Sequence, residues 1–142
     1  MATVELRFSA QPEHVRTARL VAAAVARRAG VDEALLDEVR LAVGEACSRA
    51  VGLHRTYGIT APVTVVLIEE EKVFSIEVGD EVPDATPGGR NGETDSEPDG
   101  EGEDEMGLAV ISGLVDDVEV RSGADGGVIR MSWPKKSAAM LS

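Results

Sequence analysis

A glutamate and an arginine one helical turn apart are the residues of this chain whose types and spacing could do chemistry. Glu45 and Arg49 lie in the stretch from Asp32 to His54, where Asp32 is a good N-cap. The flanking residue Gly44 lets another element or a ligand approach closely. The apolar residues recur at the three-to-four spacing of a buried stripe: Leu35, Val39, Ala42, Val43, Ala46 and Ala50. We therefore predict one long amphipathic helix whose other face is a candidate site.

The spacing of Glu45 and Arg49 predicts that they pair. An acid followed by a base four residues later contributes roughly 0.2–0.5 kcal/mol on an exposed helix face. A glutamate paired in this way is a poorer general base. A guanidinium has only donors and stays charged, so Arg49 cannot ligate a cation. The residues alone leave two roles for Arg49, a structural partner of Glu45 or a direct contact to a phosphate.

The segment Leu41 to Val51, LAVGEACSRAV, resembles the N box of the GHKL ATPases, which include gyrase, heat-shock chaperones, histidine kinases and MutL. It is most similar to the RsbW/SpoIIAB-type anti-sigma factors, whose pattern is roughly LxxxEAxxNA. In the kinase members of that family the glutamate is the proposed general base and the asparagine holds magnesium. The resemblance therefore implies that Glu45 is the base, and Arg49 stands in place of the magnesium-holding asparagine.

A second motif follows a predicted β-hairpin. The segment Val78 to Asp84 is similar to the G1 box, DxGxG, in which the aspartate binds the adenine amino group. Asp80 matches, whereas Val82 and Asp84 replace the two glycines. A β-branched residue and an acid restrict the backbone and add negative charge there. Asp80 is therefore either an adenine ligand, as the resemblance implies, or a strand-ending aspartate that starts a turn.

Residues Ala85 to Glu105 contain Gly, Pro, Ser, Thr and acids without apolar periodicity. Such a segment cannot bury enough apolar area to offset its ordering entropy, so we predict disorder. The resemblance gives this position to an ATP lid, and an acidic linker is the alternative. The acids at its end would repel a triphosphate.

A third motif begins where apolar residues return. Residues Met106 to Val115 predict a short helix and resemble the G2 box, GxGLxxI. Gly107 and Leu108 match, while Glu105 replaces the first glycine and would compete with an anion at the helix start. The candidate nucleotide-binding residues implied by the three boxes are Glu45, Arg49, Asp80, Gly107 and Leu108, and no metal ligand is predicted.

Composition limits the broad class of protein. The 142 residues suit a single domain, and the net charge of −12 argues against direct nucleic-acid binding. The single cysteine, Cys47, resembles a small buried hydrophobe inside a helix. We find neither a signal-peptide pattern nor an apolar run that could span a bilayer, so a cytoplasmic protein without membrane contact is expected.

The remaining pattern predicts an α+β fold. Hairpins segregated from helices indicate a two-layer sandwich of a mostly antiparallel sheet with helices on one face, which is also the fold that the resemblance implies. The other predicted elements are an edge strand Met1–Ser9, a helix His14–Ala29 capped by Ser9 and stopped by Gly30, strands Val63–Glu69, Val73–Val78, Asp117–Arg121 and Gly127–Trp133, and a frayed tail Lys135–Ser142. A loop His54–Ala61 and a hairpin turn Gly123–Gly126 connect them.

The same patterns predict which side chains are buried. In the first hairpin Ser75 is expected to point outward, and the residues expected to face the core are Val63, Val65, Leu67, Phe74, Ile76 and Val78. Leu20 belongs to the apolar band of the helix His14–Ala29, and Trp133 is expected to be a packing residue at a sheet end. In the short helix one side is apolar and consists of Leu108, Ile111 and Val115.

Two functions remain in competition. The favoured one is an anti-sigma-like regulator that binds a sigma factor or a STAS-domain anti-anti-sigma protein, with ATP use weakened or lost. The alternative is an active serine kinase that phosphorylates the STAS partner with ATP and magnesium. The substitutions at Arg49, Val82, Asp84 and Glu105 touch all three boxes and favour binding. The resemblance and the uncovered sheet face also predict a homodimer or a heteromeric complex.

Overall fold

The computed structural model describes residues 2–83 and 108–136. In these residues a sheet of five strands is covered on one side by helices. The strands are β1 (Ala2–Phe8), β2 (Val63–Glu69), β3 (Val73–Asp80), β4 (Asp117–Gly123) and β5 (Gly126–Pro134). The helices are α1 (Pro12–Ala29), a 3-10 turn (Glu33–Leu35), α2 (Leu36–Thr56) and α3 (108–114).

All neighbouring strands of the sheet are antiparallel, in the order β1-β2-β3-β5-β4. The predicted edge position of β1 is confirmed. In β2 and β3 the residues predicted to face the core are all buried: Val63, Val65, Leu67, Phe74, Ile76 and Val78. The predicted α+β sandwich is therefore confirmed, with the core between this face and α1, α2 and α3.

Helix α1 begins differently from the prediction. Its N-cap is Gln11, which makes no side-chain capping bond, whereas Ser9 contacts the ring of His14 instead. Its end agrees with the prediction, because Gly30 adopts φ 105° and its amide bonds to the last carbonyls of α1. Leu20 was expected in the buried band, but it is 59% exposed, since small alanines fill the contact with α2.

The long helix is divided at its start. The Asp32 side chain accepts a bond from the Ala34 amide and caps the 3-10 turn, after which α2 continues to Thr56. The expected loop therefore starts after Thr56, and His54 lies inside the last turns of the helix. Trp133, predicted to be a packing residue, is buried and donates from Nε1 to Glu38 Oε2 at 2.7 Å. This bond ties β5 to the first turns of α2.

The sheet face away from the helices is mainly polar. Ser75, predicted to point outward, is fully buried because Arg130 lies over this face and contacts Glu77 at 2.7 Å. Ser75 Oγ also lies 2.8 Å from Ser132 Oγ. Apolar side chains on this face, such as Val66 and Ile68, are only half-exposed. The expectation of a partner that hides apolar sheet surface stays a prediction.

The end of the sheet is more ordered than expected. Lys135 was predicted to begin a frayed tail, but its amide bonds to the Lys72 carbonyl and its Nζ to Glu69. The Lys136 amide bonds to the Gly30 carbonyl. These contacts hold the chain between the hairpin turn and the end of α1, so the prediction is wrong for residues 135–136. The predicted acidic segment 85–105 lies outside the described residues.

Candidate functional site

An ion pair between helix and sheet replaces the expected pair on the helix. Arg49 Nη1 lies 4.0 Å from Asp80 Oδ2, and the two side chains are 15% and 6% exposed. The predicted pair of Glu45 and Arg49 is not formed among the described residues. Arg49 lies on the face of α2 that turns toward β3, so its long side chain reaches the carboxylate at the strand end. The first and second motifs therefore meet at one contact.

Asp80 is already held by backbone amides. Its Oδ1 accepts from the Val82 amide at 2.9 Å and from the Gly127 amide at 3.3 Å. The first bond is the Asx turn that the sequence offered as the alternative to adenine binding. The second bond joins β3 to the start of β5. Asp80 thus has a structural role that needs no ligand.

Two glycines at the start of β5 permit this arrangement. Gly126 has φ 138°, and a Cβ there would lie 2.0 Å from the Asp80 carbonyl oxygen. A Cβ at Gly127 would lie 2.9 Å from Asp80 Oδ2. The backbone of β5 can therefore approach Asp80 this closely because Gly126 lacks a side chain, and Gly127 leaves space for the Asp80 carboxylate.

The segment after β3 is fixed by a buried histidine. His54 is fully buried, and its Nε2 accepts from the Glu81 amide at 2.8 Å. Its Nδ1 lies 3.0 Å from the Ala61 carbonyl, to which it must donate. The ring is therefore the neutral tautomer that carries its proton on Nδ1. This bridge holds Glu81 and Val82 against the end of α2.

Arg49 is incompletely paired. Its Nε is buried and finds no hydrogen-bond partner in the part of the chain that the structure describes. The 4.0 Å contact to Asp80 is longer than a good charge-assisted hydrogen bond. A buried donor without an acceptor costs about 1–3 kcal/mol. The guanidinium therefore has capacity for one more anionic or carbonyl contact.

Glu45 is half-buried on α2, one turn before Arg49. It forms no ion pair within residues 2–83 and 108–136, because Arg49 turns to Asp80. Its carboxylate therefore keeps open acceptor positions. The predicted pairing that counted against Glu45 as a general base is therefore absent from the described residues.

The residues at this position do not fit a magnesium-bound nucleotide. Residue 49 supplies a cation where the resemblance needs an oxygen ligand. Val82 is buried where the resemblance has a glycine, and Asp80 Oδ1 already accepts two amides. No group of three or more His, Cys, Asp or Glu side chains that could hold a metal occurs in residues 2–83 and 108–136.

The third motif is only partly described. Leu108 is half-buried in α3 and packs on the core with Ile111 and Val115, which confirms the predicted apolar side of this helix. Gly107, Asp84 and Glu105 lie outside the described residues.

Cys47 is buried, and burial raises the pKa of its thiol to about 12.

Sequence reasoning missed the residues that complete the site. His54 was predicted at a helix end without a role, Gly126 as the last residue of a hairpin turn, and Gly127 as the first residue of the next strand. The adjacent glycines were a usable signal, since a residue with positive φ followed by a close backbone approach favours glycine. The role of His54 depends on contacts far apart in sequence.

Among the helices of residues 2–83 and 108–136, none combines the length and the apolar composition that spanning a bilayer requires.

A comparison with family profiles finds that the histidine kinase-like ATPase domain matches residues 8–133. A search of curated proteins finds no matching relative. The matched range runs from the end of β1 to Trp133 in β5, so it includes the whole of the Arg49–Asp80 site.

Proposed function

Because the chain belongs to the histidine kinase-like ATPase domain family, we propose that it is a regulatory protein that acts by binding other proteins, with ATP use weakened or lost. Its partners would be a sigma factor or a STAS-domain protein in a bacterial partner-switching system, and it would act as a homodimer in the cytoplasm. The observation that carries the proposal is the Arg49–Asp80 ion pair.

The ion pair joins two positions to which the family resemblance gives different roles in nucleotide binding. Residue 49 would hold the metal and residue 80 the adenine. One side chain now connects them at 4.0 Å and is itself 15% exposed. A ligand that used Asp80 would have to separate this pair and leave a buried guanidinium without its carboxylate, which is costly.

The charge of the site also changes its chemistry. Magnesium would neutralise the charge that develops during phosphoryl transfer, and an oxygen ligand at position 49 would be needed to hold it. Arg49 offers a fixed cation instead, and its donors cannot bind a metal. The family fold would then provide a surface that binds partners. Arg49 and Asp80, at the positions where the resemblance has nucleotide ligands, would instead stabilise the packing of α2 against β3 and β5.

The second candidate is an active serine kinase that phosphorylates a STAS-domain partner. Glu45 favours it, since this carboxylate is half-buried and is not paired with Arg49. A carboxylate without an ion-pair partner can act as a general base. The incompletely paired Nε of Arg49 also leaves a donor for a phosphate oxygen.

Phosphotransfer separates the two candidates. The purified protein is incubated with radiolabelled ATP, magnesium and a STAS-domain protein from the same genome, with Glu45→Gln as the control. We expect no label transfer above the control, while gel filtration without nucleotide shows a complex with the STAS protein or a sigma factor. Transfer that is lost in Glu45→Gln would establish the kinase instead, and the absence of any complex would refute the binding function.

A further inference from the structure

A groove outside the Arg49–Asp80 site lies between the start of α1 and the end of α2. It has a volume of about 340 Å³. Val15 and Val51 supply its apolar floor, and Pro12 and Ser48 lie along its walls. A Cβ at Gly52 would meet no described atom within 4 Å, so the groove is open at that point. The groove can accept an apolar side chain of a partner.

Two basic residues, Arg55 and Arg16, stand at the rim of this groove. Arg55 lines it, whereas Arg16 is not a lining residue but follows Val15 and stands one helical turn after Pro12 on α1. Both arginines are exposed, and neither forms an ion pair within residues 2–83 and 108–136. Glu13 is exposed in the first turn of α1 but pairs with neither. Two other helix arginines have acidic partners, Arg27 with Glu33 and Arg40 with Asp37, whereas Arg19 and Arg28 have none within residues 2–83 and 108–136.

The local charge contrasts with that of the chain. The net charge is −12, which disfavours an acidic partner over most of the surface. Screening limits such effects to about 8 Å at physiological ionic strength, so a partner that contacts the groove responds mainly to its rim. An acidic segment is the occupant that complements two unpaired guanidinium groups, since each offers a fork of donors that matches a carboxylate.

We propose that this groove docks an acidic segment of a partner protein, with an apolar side chain of that segment seated between Val15 and Val51 and its carboxylates on Arg16 and Arg55. The inference rests on the proposed function, because it names the surface and the charge of the partner. The Arg49–Asp80 site takes no part in this docking.

The probe is a fluorescein-labelled synthetic peptide in which single leucines alternate with pairs of glutamates, titrated without nucleotide and followed by fluorescence anisotropy. A peptide with glutamine in place of glutamate tests the role of charge. The double variant Arg16→Gln/Arg55→Gln removes the rim charges, and Gly52→Trp fills the groove where the structure has space. Arg28→Gln is the matched control, since Arg28 is an exposed arginine without an ion pair in the described residues, at the opposite end of α1.

We expect the rim variant to weaken peptide binding about tenfold because it removes two charge contacts, and Gly52→Trp to weaken it about tenfold or more because it fills the apolar pocket. Arg28→Gln should bind as the wild type does. Circular dichroism and thermal melts establish that each variant is folded. No binding, equal loss in Arg28→Gln, or undiminished binding to a folded Gly52→Trp would overturn the proposal.

A last variant identifies the occupant. The eight acids of residues 93–105 are replaced by their amides, and the peptide titration is repeated. Unchanged affinity supports a partner in trans, whereas binding that appears only in this variant would assign the groove to the chain's own acids and overturn the proposal. Because nucleotide is absent from all of these titrations, a failure of the peptide to bind would leave the proposed function standing. Conversely, binding of magnesium-ATP by the protein would refute the proposed function without bearing on the groove.

Discussion

Arg49 on α2 and Asp80 at the end of β3 form a buried ion pair with Nη1 and Oδ2 4.0 Å apart. The pair crosses from the helical layer to the sheet, and Asp80 continues the connection through amide bonds to Val82 and Gly127. One side chain of the helix is thereby coupled to two segments of the sheet. We attribute to this one contact both the coupling of α2 to the sheet and the loss of nucleotide binding that we propose.

Asp80→Ala is expected to lower the free energy of unfolding by about 2–4 kcal/mol, because it removes two amide acceptors and leaves the buried Arg49 charge uncompensated. Urea denaturation followed by the fluorescence of Trp133, the single tryptophan, measures this. Asp37→Ala is the control. Its carboxylate is 91% exposed and pairs with Arg40 on the helix surface, so the change should stay within about 0.5 kcal/mol. Equal losses in both variants would contradict the structural role of Asp80.

Gly126→Ala is expected to destabilise the fold by about 3 kcal/mol or more, since the new methyl group would meet the Asp80 carbonyl oxygen in a backbone conformation that disfavours side chains. Gly123→Ala, in the same β4–β5 hairpin, is the matched control because a Cβ there meets no described atom within 4 Å. Thermal melts of the two variants measure the difference. A Gly126→Ala protein as stable as Gly123→Ala would show that β5 does not approach β3 as described.

The layers of the fold could be predicted from the sequence because burial leaves a periodic trace. Alternation in β2 and β3 and the three-to-four spacing in α2 identified the core-facing residues. Capping residues were predicted less reliably, because the N-cap of α1 is Gln11 and not the predicted Ser9. Leu20 was misassigned because the alanines of α1 are enough to fill its contact with α2.

The site could be predicted only as a set of positions. The first two motifs identified Glu45, Arg49 and Asp80, but helical spacing alone favoured the wrong partner for Arg49. A contact between residues 31 positions apart has no periodic trace, and the pairing depends on how α2 crosses β3. The bridge from His54 to Glu81 was missed for the same reason.

His54→Phe tests the buried histidine bridge. The ring would keep most of its volume but leave the Glu81 amide and the Ala61 carbonyl without their partner, which should cost about 2–4 kcal/mol of unfolding free energy. Hydrogen exchange should show faster exchange at Glu81 and Val82 than in the wild type. His14→Ala, on the surface of α1, should leave both amides unchanged. A stable His54→Phe protein with wild-type exchange at Glu81 would contradict the bridge.

Cys47 gives a pH-dependent prediction. Burial raises the pKa of its thiol from 9.0 to about 12, so the folded state resists deprotonation more than the unfolded state does. This contribution to stability is complete below pH 9 and is lost as the pH rises toward 12. Cys47→Ala should therefore remove part of the alkaline loss of stability. At pH 8 a thiol reagent should label the native protein slowly and the urea-unfolded protein at once, and fast native labelling would contradict the burial.

The binding of ATP tests the central claim most directly. Isothermal titration calorimetry of the wild-type protein with ATP, in the presence of magnesium or of EDTA, should show no saturable magnesium-dependent heat. Arg49 stands where the family resemblance has a magnesium-holding asparagine, and it pairs with Asp80. Arg49→Asn, alone and combined with Val82→Gly and Glu105→Gly, should restore part of the magnesium dependence, and Arg28→Gln should not. Tight magnesium-dependent binding of ATP to the wild type would contradict the account.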